Sequence, residues 1–512
     1  MKKILILFLC ALMVACALVS CNQQAPEQGV PSESDTQAAE ITPPENLLPP
    51  EQVVAALDAD ATVMEIGTST RQVLLYETEW ATLTEAFLSA GYREAEVTLL
   101  ANTNLQTMVL YSNDVIVTLQ KGNDGAYAIW EPYNASALSL LMPNKKTDMG
   151  EVTLAQLGIA RTEETDNPMN GMCYIYKLSD GSAVIIDGGF NTKACRENIM
   201  NTLQKLEIAK NAEGKYRITA WILSHGHKDH RAAFTGVGNN FADQIELSYV
   251  LYNFPTSPGP LTASTFDLSN FETKMAENFP KAQHVVAHAG LAYHFDNLTV
   301  RVLYSPEMLY APERTIAYYN DTSLIFIADC AGTSTLYMGD AGERASKITW
   351  TSYEKEAFEA DMLQITHHGF NTGDGSHTWR FVKQIYESTS ASFGLLPMGS
   401  QFEGEERNGR HTVIVGHGDT GWQMSFVVNK KDRHGQGSVS QEYYEQFVAS
   451  VAAGNNKTPT LFGYDGINKI VSDKGLVTYA SGNESEPMIT LFTLSASGVS
   501  VSDNQVLSEW LK

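Results

Sequence analysis

Apolar and polar positions after residue 150 follow patterns that predict a layered α/β protein. Two apolar runs, Cys173–Leu178 and Ala183–Ile186, lie on either side of a short polar stretch, which predicts a β-hairpin. A helix is predicted after it, around Cys195–Leu206. Further strands are predicted at Ile218–Leu223, Ile245–Leu251, Leu324–Ala328, Thr335–Met338 and Met362–Thr366. Many apolar strands separated by helices indicate sheets that are covered by helices.

Residues 51–135 have a pattern of their own, which predicts a small α/β module. Apolar residues fall on one face of a predicted helix, Thr78–Ala90, and Gly91 follows as a stop signal. Thr107–Leu119 predicts two strands joined by a polar turn. The module contains no His and no Cys. We therefore interpret it as a spacer or a partner-binding domain, and its role is open.

The first fifty residues have the pattern of a targeting signal followed by a tether. Lys2 and Lys3 precede an uncharged apolar run, Ile4–Ser20, and Leu18-Val19-Ser20-Cys21 resembles the lipobox of bacterial lipoproteins. The resemblance implies a signal peptide at 1–20 and lipidation of Cys21. A transmembrane anchor is the alternative, but 17 residues are at the lower limit for spanning. Residues 21–50 are rich in Pro and polar residues, so we predict a disordered tether and an extracytoplasmic, membrane-anchored lipoprotein.

Composition limits the kinds of partner that this chain can bind. Of 512 residues, 43% are hydrophobic and 18% are charged, which is typical of a globular protein. The net charge is −24, and loss of the two signal-peptide lysines would lower it to −26. A chain this acidic is poorly suited to bind nucleic acid or anionic lipid. Three cysteines remain after the predicted cleavage and lipidation, outside any CxxC spacing, so we expect buried thiols: Cys173, Cys195 and Cys330.

All twelve histidines lie between His225 and His434, and one stretch concentrates them. Ser224-His225-Gly226-His227-Lys228-Asp229-His230 directly follows a predicted strand. Imidazoles and a carboxylate are the ligands that Zn²⁺ and similar ions bind, and Gly226 allows the tight turn that brings alternate side chains together. A solvated polar turn is the alternative interpretation, but this order of residues favours a metal site.

Two later strand ends supply residues of the same chemistry. Asp340 follows the predicted strand Thr335–Met338, and His367-His368-Gly369 follow Met362–Thr366. Alone, Asp340 is more typical of a helix N-cap. Strand ends on one edge of an α/β sheet are where binding sites form, so the three clusters support one another.

The chain resembles the metallo-β-lactamase superfamily, and within it the ComEC-type hydrolase domain of DNA-uptake proteins. The resemblance extends over residues 150–512 and rests on five motifs in the family's order. They are Ile186-Asp187-Gly188-Gly189, Ser224–His230, Asn320-Asp321-Thr322-Ser323-Leu324, Gly339-Asp340 and His367-His368-Gly369. It implies an αββα sandwich, preceded here by the small α/β module, with two divalent metal ions, zinc or manganese, at one edge.

The resemblance also implies a role for each motif residue. His225 and His227 would bind the first ion, Asp229 and His230 the second, and Asp340 would bridge both. His367 or His368 would complete the second site, and the sequence does not distinguish them. Asp187 would orient the cluster from behind.

The family's third ligand of the first ion has no matching motif in this chain. The candidates are His284, His288, His294, His411 and His434, and the site could also be three-coordinate. We interpret the two other histidines, His377 and His417, as surface residues.

The implied function is a surface-anchored hydrolase that uses a metal-activated hydroxide. Asp229 would hold or deprotonate the attacking water, and the histidine of the 367/368 pair that does not bind metal would stabilise the developing oxyanion; we name His368 as the candidate. The bridging Asp340 argues against a true β-lactamase, since those members lack it. A small or envelope-derived phosphodiester is the favoured substrate. An ester or lactone hydrolase, and a non-catalytic binding lipoprotein on a degenerate hydrolase fold, are the alternatives.

The net charge disfavours nucleic acid as a substrate of this chain. Lys430-Lys431-Asp432-Arg433-His434 is a local basic stretch, and a solvated loop explains it equally well.

Overall fold

A computed structural model describes the chain from residue 47 onward, with gaps. The described residues are 47–57, 61–66, 70–75, 78–123, 125–143, 150–159, 171–256, 268–313, 316, 318–369, 380–397, 410–415, 422–427, 442, 445–446, 449, 476–481 and 487–512. The predicted signal peptide, Cys21 and the tether up to residue 46 lie outside them. Among the described residues, no helix has the length and hydropathy needed to cross a bilayer.

The N-terminal module is a six-stranded antiparallel sheet with three short helices. Its strands are β1 (Ala61–Ile66), β2 (Thr70–Leu75), β3 (Arg93–Glu94), β4 (Gln106–Tyr111), β5 (Val115–Gly122) and β6 (Gly125–Pro132), in the order β1-β2-β6-β5-β4-β3. Its helices are α1 (Pro50–Ala55), α2 (Trp80–Ser89) and α3 (Ala135–Leu141). Leu83 and Phe87 of α2 are fully buried in one apolar cluster with Val117 and Leu119 of β5, so the predicted helix and hairpin share a core.

The rest of the described chain forms two large sheets, a hairpin and the helices around them. The strands are β7 (Val152–Leu157), β8 (Cys173–Lys177), β9 (Ala183–Asp187), β10 (Tyr216–Ile222), β11 (Ile245–Tyr252), β12 (Gln283–Val286), β13 (Ala292–Phe295), β14 (Leu298–Tyr304), β15 (Ile325–Cys330), β16 (Thr333–Tyr337), β17 (Met362–Gln364), β18 (Phe393–Leu396), β19 (Arg410–Val415), β20 (Trp422–Val427), β21 (Val477–Ala480), β22 (Met488–Ser495) and β23 (Gly498–Val506). The helices are α4 (Lys193–Lys205), α5 (Lys228–Phe241), α6 (Ser269–Asn278), α7 (Glu307–Glu313), α8 (Glu343–Ser352), α9 (Arg380–Ser388) and α10 (Leu507–Trp510), with 3₁₀ turns at Ala242–Gln244, Tyr319–Thr322, Lys355–Phe358 and Thr366–Gly369.

The two large sheets pack face to face. One has the order β12-β11-β10-β9-β8-β7-β22-β23, and the other β13-β14-β15-β16-β17-β18-β21. Between them the hydroxyls of Tyr176 and Tyr337 are 2.8 Å apart, and the ring of Tyr174 meets that of Tyr337 edge-on. Helices α4 and α5 join the apolar core of the first sheet, and α8 and α9 that of the second. The predicted αββα sandwich is confirmed.

Strand direction places one end of several strands at the same edge of this sandwich. Strands β9 to β12 are parallel to one another in the first sheet, and β16 to β18 are parallel in the second. Every residue of β9 is buried, because a sheet covered on both faces requires apolar side chains on both. The chain leaves β9, β10, β16 and β17 at their carboxyl ends, and the predicted site residues follow these ends.

The N-terminal module packs against the second sheet and its connections. The backbone N–H of Leu100 donates to the carbonyl of Gly290, and that of Ala292 donates to the carbonyl of Thr98. These bonds form a short antiparallel bridge, Leu99 with Leu291, beside the edge strand β13. The buried side chain of Gln120 also donates to the carbonyl of Ala289. The module therefore shares backbone and buried side-chain hydrogen bonds with the sandwich.

Candidate metal centre

Six of the predicted ligands lie at this edge in two groups that share one carboxylate. His225 and His227, just before α5, form the first group with Asp340. His225 Nε2 lies 3.0 Å from His227 Nδ1 and 3.7 Å from Asp340 Oδ2. The second group is Asp229, His230, Asp340 and His368.

Contacts within the second group are equally close. His230 Nε2 lies 3.3 Å from His368 Nε2 and 3.2 Å from Asp340 Oδ1. His368 Nε2 lies 3.4 Å from Asp229 Oδ2 and 3.5 Å from Asp340 Oδ2. His230, Asp340 and His368 are buried, whereas the Asp229 side chain is 24% exposed. Asp229 is thus the member of this group that solvent reaches.

Asp187 lies behind the second group and ties it to the end of β9. Its Oδ2 accepts a hydrogen bond from His230 Nδ1 at 2.7 Å and another from the Ser224 hydroxyl at 2.6 Å, while Oδ1 accepts from the Ser224 backbone N–H at 2.7 Å. Its backbone is left-handed, with a φ of 54°, and its carbonyl accepts from the Trp221 indole. A non-glycine residue in this region costs free energy, and such positions concentrate at functional sites.

The hydrogen-bond acceptors around this group show that it fits a cation. His230 Nδ1 donates to a carboxylate and His368 Nδ1 donates to the Pro397 carbonyl, and both acceptors lack protons. In the neutral rings, each Nε2 therefore carries a lone pair, and the two lone pairs face each other across 3.3 Å. Nitrogens that bind one tetrahedral zinc at ~2.05 Å are separated by about 3.3 Å. A shared divalent ion would satisfy both nitrogens.

Electrostatics differ between the buried rings. Burial lowers the pKa of His225 well below its usual value, and the neighbouring His230 adds to the effect, so His225 is neutral and can donate a lone pair. Burial also acts to lower the pKa of His368, but the charge of Asp340 and a hydrogen bond with Asp229 outweigh it and raise the pKa to about 9. A metal ion that binds here would displace the His368 proton.

His367 and His368 point to different surroundings although they are neighbours. Both have left-handed backbones, with φ of 48° and 55°, and Gly369 continues at 75°. His368 joins the second group, whereas His367 Nε2 lies 4.0 Å from Asp340 Oδ2 and 3.2 Å from Asn320 Nδ2. Its side chain is 22% exposed. Of the pair, His368 is therefore the one placed for metal binding.

The candidates for a third ligand of the first ion do not join either group where their side chains are described. His284 stacks on Tyr252 with ring centroids 4.1 Å apart. His288 Nδ1 lies 2.9 Å from Glu307 Oε1, and the ring of His294 bonds to Thr98 and Thr299. The side chains of His377, His411, His417 and His434 lie outside the described residues. Within the described part, the first group therefore contains His225, His227 and Asp340.

Comparison with known proteins agrees with this geometry. Residues 166–375 match the family described as the Metallo-beta-lactamase superfamily. This stretch is less than half of the chain, and it is similar to a metallo-β-lactamase superfamily domain. Domains with this fold bind divalent metal ions and are generally hydrolases. The predicted resemblance to the superfamily is thus confirmed for residues 166–375, while the narrower ComEC-type resemblance stays a prediction.

Solved structures that resemble part of the chain share little sequence with it. The metallo-beta-lactamase fold protein YhfI from Bacillus subtilis is 14% identical, with a TM-score of 0.30. The match covers 48% of this chain and 86% of the YhfI chain. A mutant of CmlA beta-hydroxylase is 10% identical with a TM-score of 0.30, covering 48% of this chain and 46% of its own. A putative metal-dependent hydrolase from Parabacteroides distasonis is 10% identical with a TM-score of 0.24, covering 44% and 76%. No curated protein matches the chain.

Proposed function

We propose that this protein is a metal-dependent hydrolase that cleaves small phosphodiesters. The observation that carries the proposal is the position of Asp340 between the two groups. Its Oδ1 faces His230 Nε2 at 3.2 Å, and its Oδ2 faces His225 Nε2 at 3.7 Å. Oδ2 also lies 3.5 Å from His368 Nε2, so this carboxylate contacts both groups. A bridging carboxylate of this kind supports two ions close together, as in enzymes that clamp both oxygens of a phosphoryl displacement.

Some residues of the centre would bind the metal ions, and others would orient the ligands or transfer a proton. His225, His227 and Asp340 would hold one ion, and Asp229, His230, Asp340 and His368 the other. Bound divalent ions supply Lewis acidity, which polarises a phosphoryl oxygen and makes water a nucleophile near neutral pH. Asp187 and the Pro397 carbonyl fix the orientation of two of the imidazoles.

Asp229 is the residue best placed to accept the proton of the attacking water. It is the partly exposed carboxylate of the second group, at the start of α5. Its Oδ2 contacts His368 Nε2 at 3.4 Å, which holds the carboxylate toward the cluster. A positioned carboxylate that takes this proton is a general base, which typically contributes 10²–10⁴-fold to a rate, roughly.

The charge of the chain supports a small substrate rather than a polymer. A nuclease relies on many Lys and Arg contacts with the phosphate backbone, whereas this chain has a net charge of −24. A small or zwitterionic phosphodiester, such as one derived from envelope polymers, avoids this repulsion. We also propose that Cys21 is lipidated, which would place the enzyme outside the cytoplasm near such a substrate.

A substrate panel with metal analysis tests the proposal. The substrates are bis(4-nitrophenyl) phosphate, single-stranded DNA, 4-nitrophenyl acetate and a lactone, with wild type and Asp229→Ala, each loaded with Zn²⁺ or Mn²⁺. Asp243→Ala is the matched control, because Asp243 is an exposed carboxylate beyond the far end of α5. We expect the small phosphodiester to be hydrolysed fastest, with two metal equivalents per chain. Activity that survives Asp229→Ala would refute the mechanism.

Other results of this panel would support a different function. Faster cleavage of the ester or lactone would assign the centre to carboxylic ester hydrolysis. Faster DNA cleavage would restore the nuclease interpretation. A chain without bound metal and without turnover would favour the binding-lipoprotein alternative.

A further inference from the structure

One segment contacts all three clusters that form the metal centre. This segment, Tyr319–Leu324, comprises a 3₁₀ turn and the residues that lead into β15, and it includes the motif Asn320-x-x-Ser323-Leu324. We call it the linking segment. The functions assigned so far to the metal centre use none of its side chains.

The contacts of the linking segment together reach all three clusters. Asn320 Nδ2 lies 3.2 Å from His367 Nε2, and the Ser323 hydroxyl accepts from the Asp340 backbone N–H at 3.1 Å. The Leu324 N–H donates to the Ser224 carbonyl at 2.9 Å. The Tyr319 ring also packs 5.3 Å from the His227 ring. The linking segment therefore fixes the clusters relative to one another.

Ser323 and Leu324 form hydrogen bonds with backbone groups of Asp340 and Ser224. Asn320 instead contacts the side chain of His367, which belongs to neither metal-binding group. His367 is partly exposed, close to Asp340, and held in a left-handed backbone that a non-glycine residue rarely adopts. Asn320 is only 6% exposed, and its Oδ1 is buried without a hydrogen-bond partner in the described part of the chain. A buried carbonyl oxygen that lacks a partner is costly, which indicates that this carboxamide is kept for a role other than fold stability.

We propose that His367 contacts the oxygen atoms of the substrate and that Asn320 is its positioning residue. The inference rests on the proposed function and deepens it. The carboxamide beside Nε2 fixes both the ring's direction and which ring nitrogen carries the proton, since one face of the amide only donates and the other only accepts. His367 then presents its ring to a phosphoryl oxygen beside Asp340, where negative charge increases during hydrolysis.

A double-mutant cycle tests the pairing. The variants are Asn320→Ala, His367→Gln and both together, loaded with Zn²⁺ and assayed on bis(4-nitrophenyl) phosphate. We expect each variant to keep two metal equivalents, to lose about 10²-fold in kcat, and to change KM little. The double variant should be no slower than His367→Gln alone, because Asn320 acts through that ring. Independent, multiplicative losses of about 10⁴-fold would overturn the assignment.

Two controls separate positioning from folding and from metal binding. Asn253→Ala removes another buried asparagine, 3% exposed, which bonds to the Ala287 carbonyl and to Glu307. It should destabilise the fold as Asn320→Ala does, yet leave kcat unchanged. His368→Gln should lose one metal equivalent, whereas His367→Gln should not. Loss of a metal equivalent from His367→Gln would overturn the proposal.

Phosphate binding tests the roles of His367 and Asn320 even if no substrate is hydrolysed. Inorganic phosphate is titrated by calorimetry into the Zn²⁺-loaded wild type and the variants. We expect His367→Gln and Asn320→Ala to bind phosphate about tenfold more weakly, the value of one hydrogen bond to a charged group. Unchanged affinity would overturn the role of His367. If the wild type binds phosphate in this way but hydrolyses none of the panel, the proposed function fails and this assignment stands.

Discussion

The ion pair that joins the N-terminal module to the sandwich should make stability depend on pH. His288 is 2% exposed, with Nδ1 2.9 Å from Glu307 Oε1 and Nε2 3.6 Å from Glu131 Oε1. Burial acts to lower the pKa of His288, but its contacts with Glu131 and Glu307 and their charges outweigh it and raise the pKa to about 10. Glu131 belongs to β6 of the module and Glu307 to α7 of the sandwich. A buried imidazolium thus bridges the two.

The structure gives the size and the sign of the effect. A pKa that rises from 6.5 to about 10 on folding corresponds to about 5 kcal/mol, at ~1.4 kcal/mol per unit. Because the pKa is raised, this stabilisation is fully present below pH 6.5 and is lost as the pH rises toward 10. Buried Tyr127 and Tyr293 lie beside the pair, and burial raises their pKa values well above the usual one, so they stay neutral across this range.

The perturbation is His288→Gln, measured by urea unfolding between pH 6.5 and 10. At pH 6.5 we expect the variant to be about 3–5 kcal/mol less stable, because Glu307 is left buried without its cation. The two stability profiles should approach each other as the pH rises through 10, where wild-type His288 loses its proton. The matched control is His294→Gln, since His294 also bonds to the module through Thr98, yet burial lowers its pKa. The loss of stability caused by His294→Gln should not vary above pH 6.5. If the stability profiles of the wild type and His288→Gln run parallel across this range, the reasoning is refuted.

Three further changes test other parts of the structure. Asp187→Asn should weaken zinc affinity about 10–100-fold, measured by chelator competition, because the carboxylate orients His230; unchanged affinity would contradict this role. Gly226→Ala should destabilise the fold by about 1–3 kcal/mol in urea, since a Cβ there would lie 2.3 Å from the Tyr319 hydroxyl; wild-type stability would show that Tyr319 moves aside. Cys21→Ala should move the protein from the membrane to the soluble fraction on centrifugation, and retention in the membrane would favour the transmembrane alternative.

Much of the sandwich could be predicted from local pattern. Strand β9 and the last three residues of β10 are buried on both faces, so their apolar runs are continuous and polar residues mark their ends. The same argument placed Asp340 and the His367/His368 pair at strand ends. Parallel strands bring such ends to one edge, so the three clusters could be expected to meet before any distance was known.

Other parts of the centre depend on contacts that sequence spacing does not encode. His367 and His368 are chemically identical and adjacent, and only the left-handed backbone and the Pro397 carbonyl direct His368 to the second group. The hydrogen bond from the Ser224 hydroxyl to Asp187 was not predicted. The position of Ser224, directly after a strand and beside His225, could have indicated a contact within the metal centre. His288 was a candidate ligand, but its partners Glu131 and Glu307 lie 157 and 19 residues away in different elements.

The backbone bridge between Leu99 and Leu291 limits where the chain can be truncated without loss of solubility. Edge strands offer unpaired N–H and C=O groups to any other chain, and natural proteins cover or interrupt them to avoid aggregation. Here the module covers the residues next to β13 with its own backbone. A fragment that begins at residue 150 would keep every metal ligand but expose this edge. By covering this edge, the module prevents self-association of the sandwich. Expression of the hydrolase domain alone should therefore give insoluble protein.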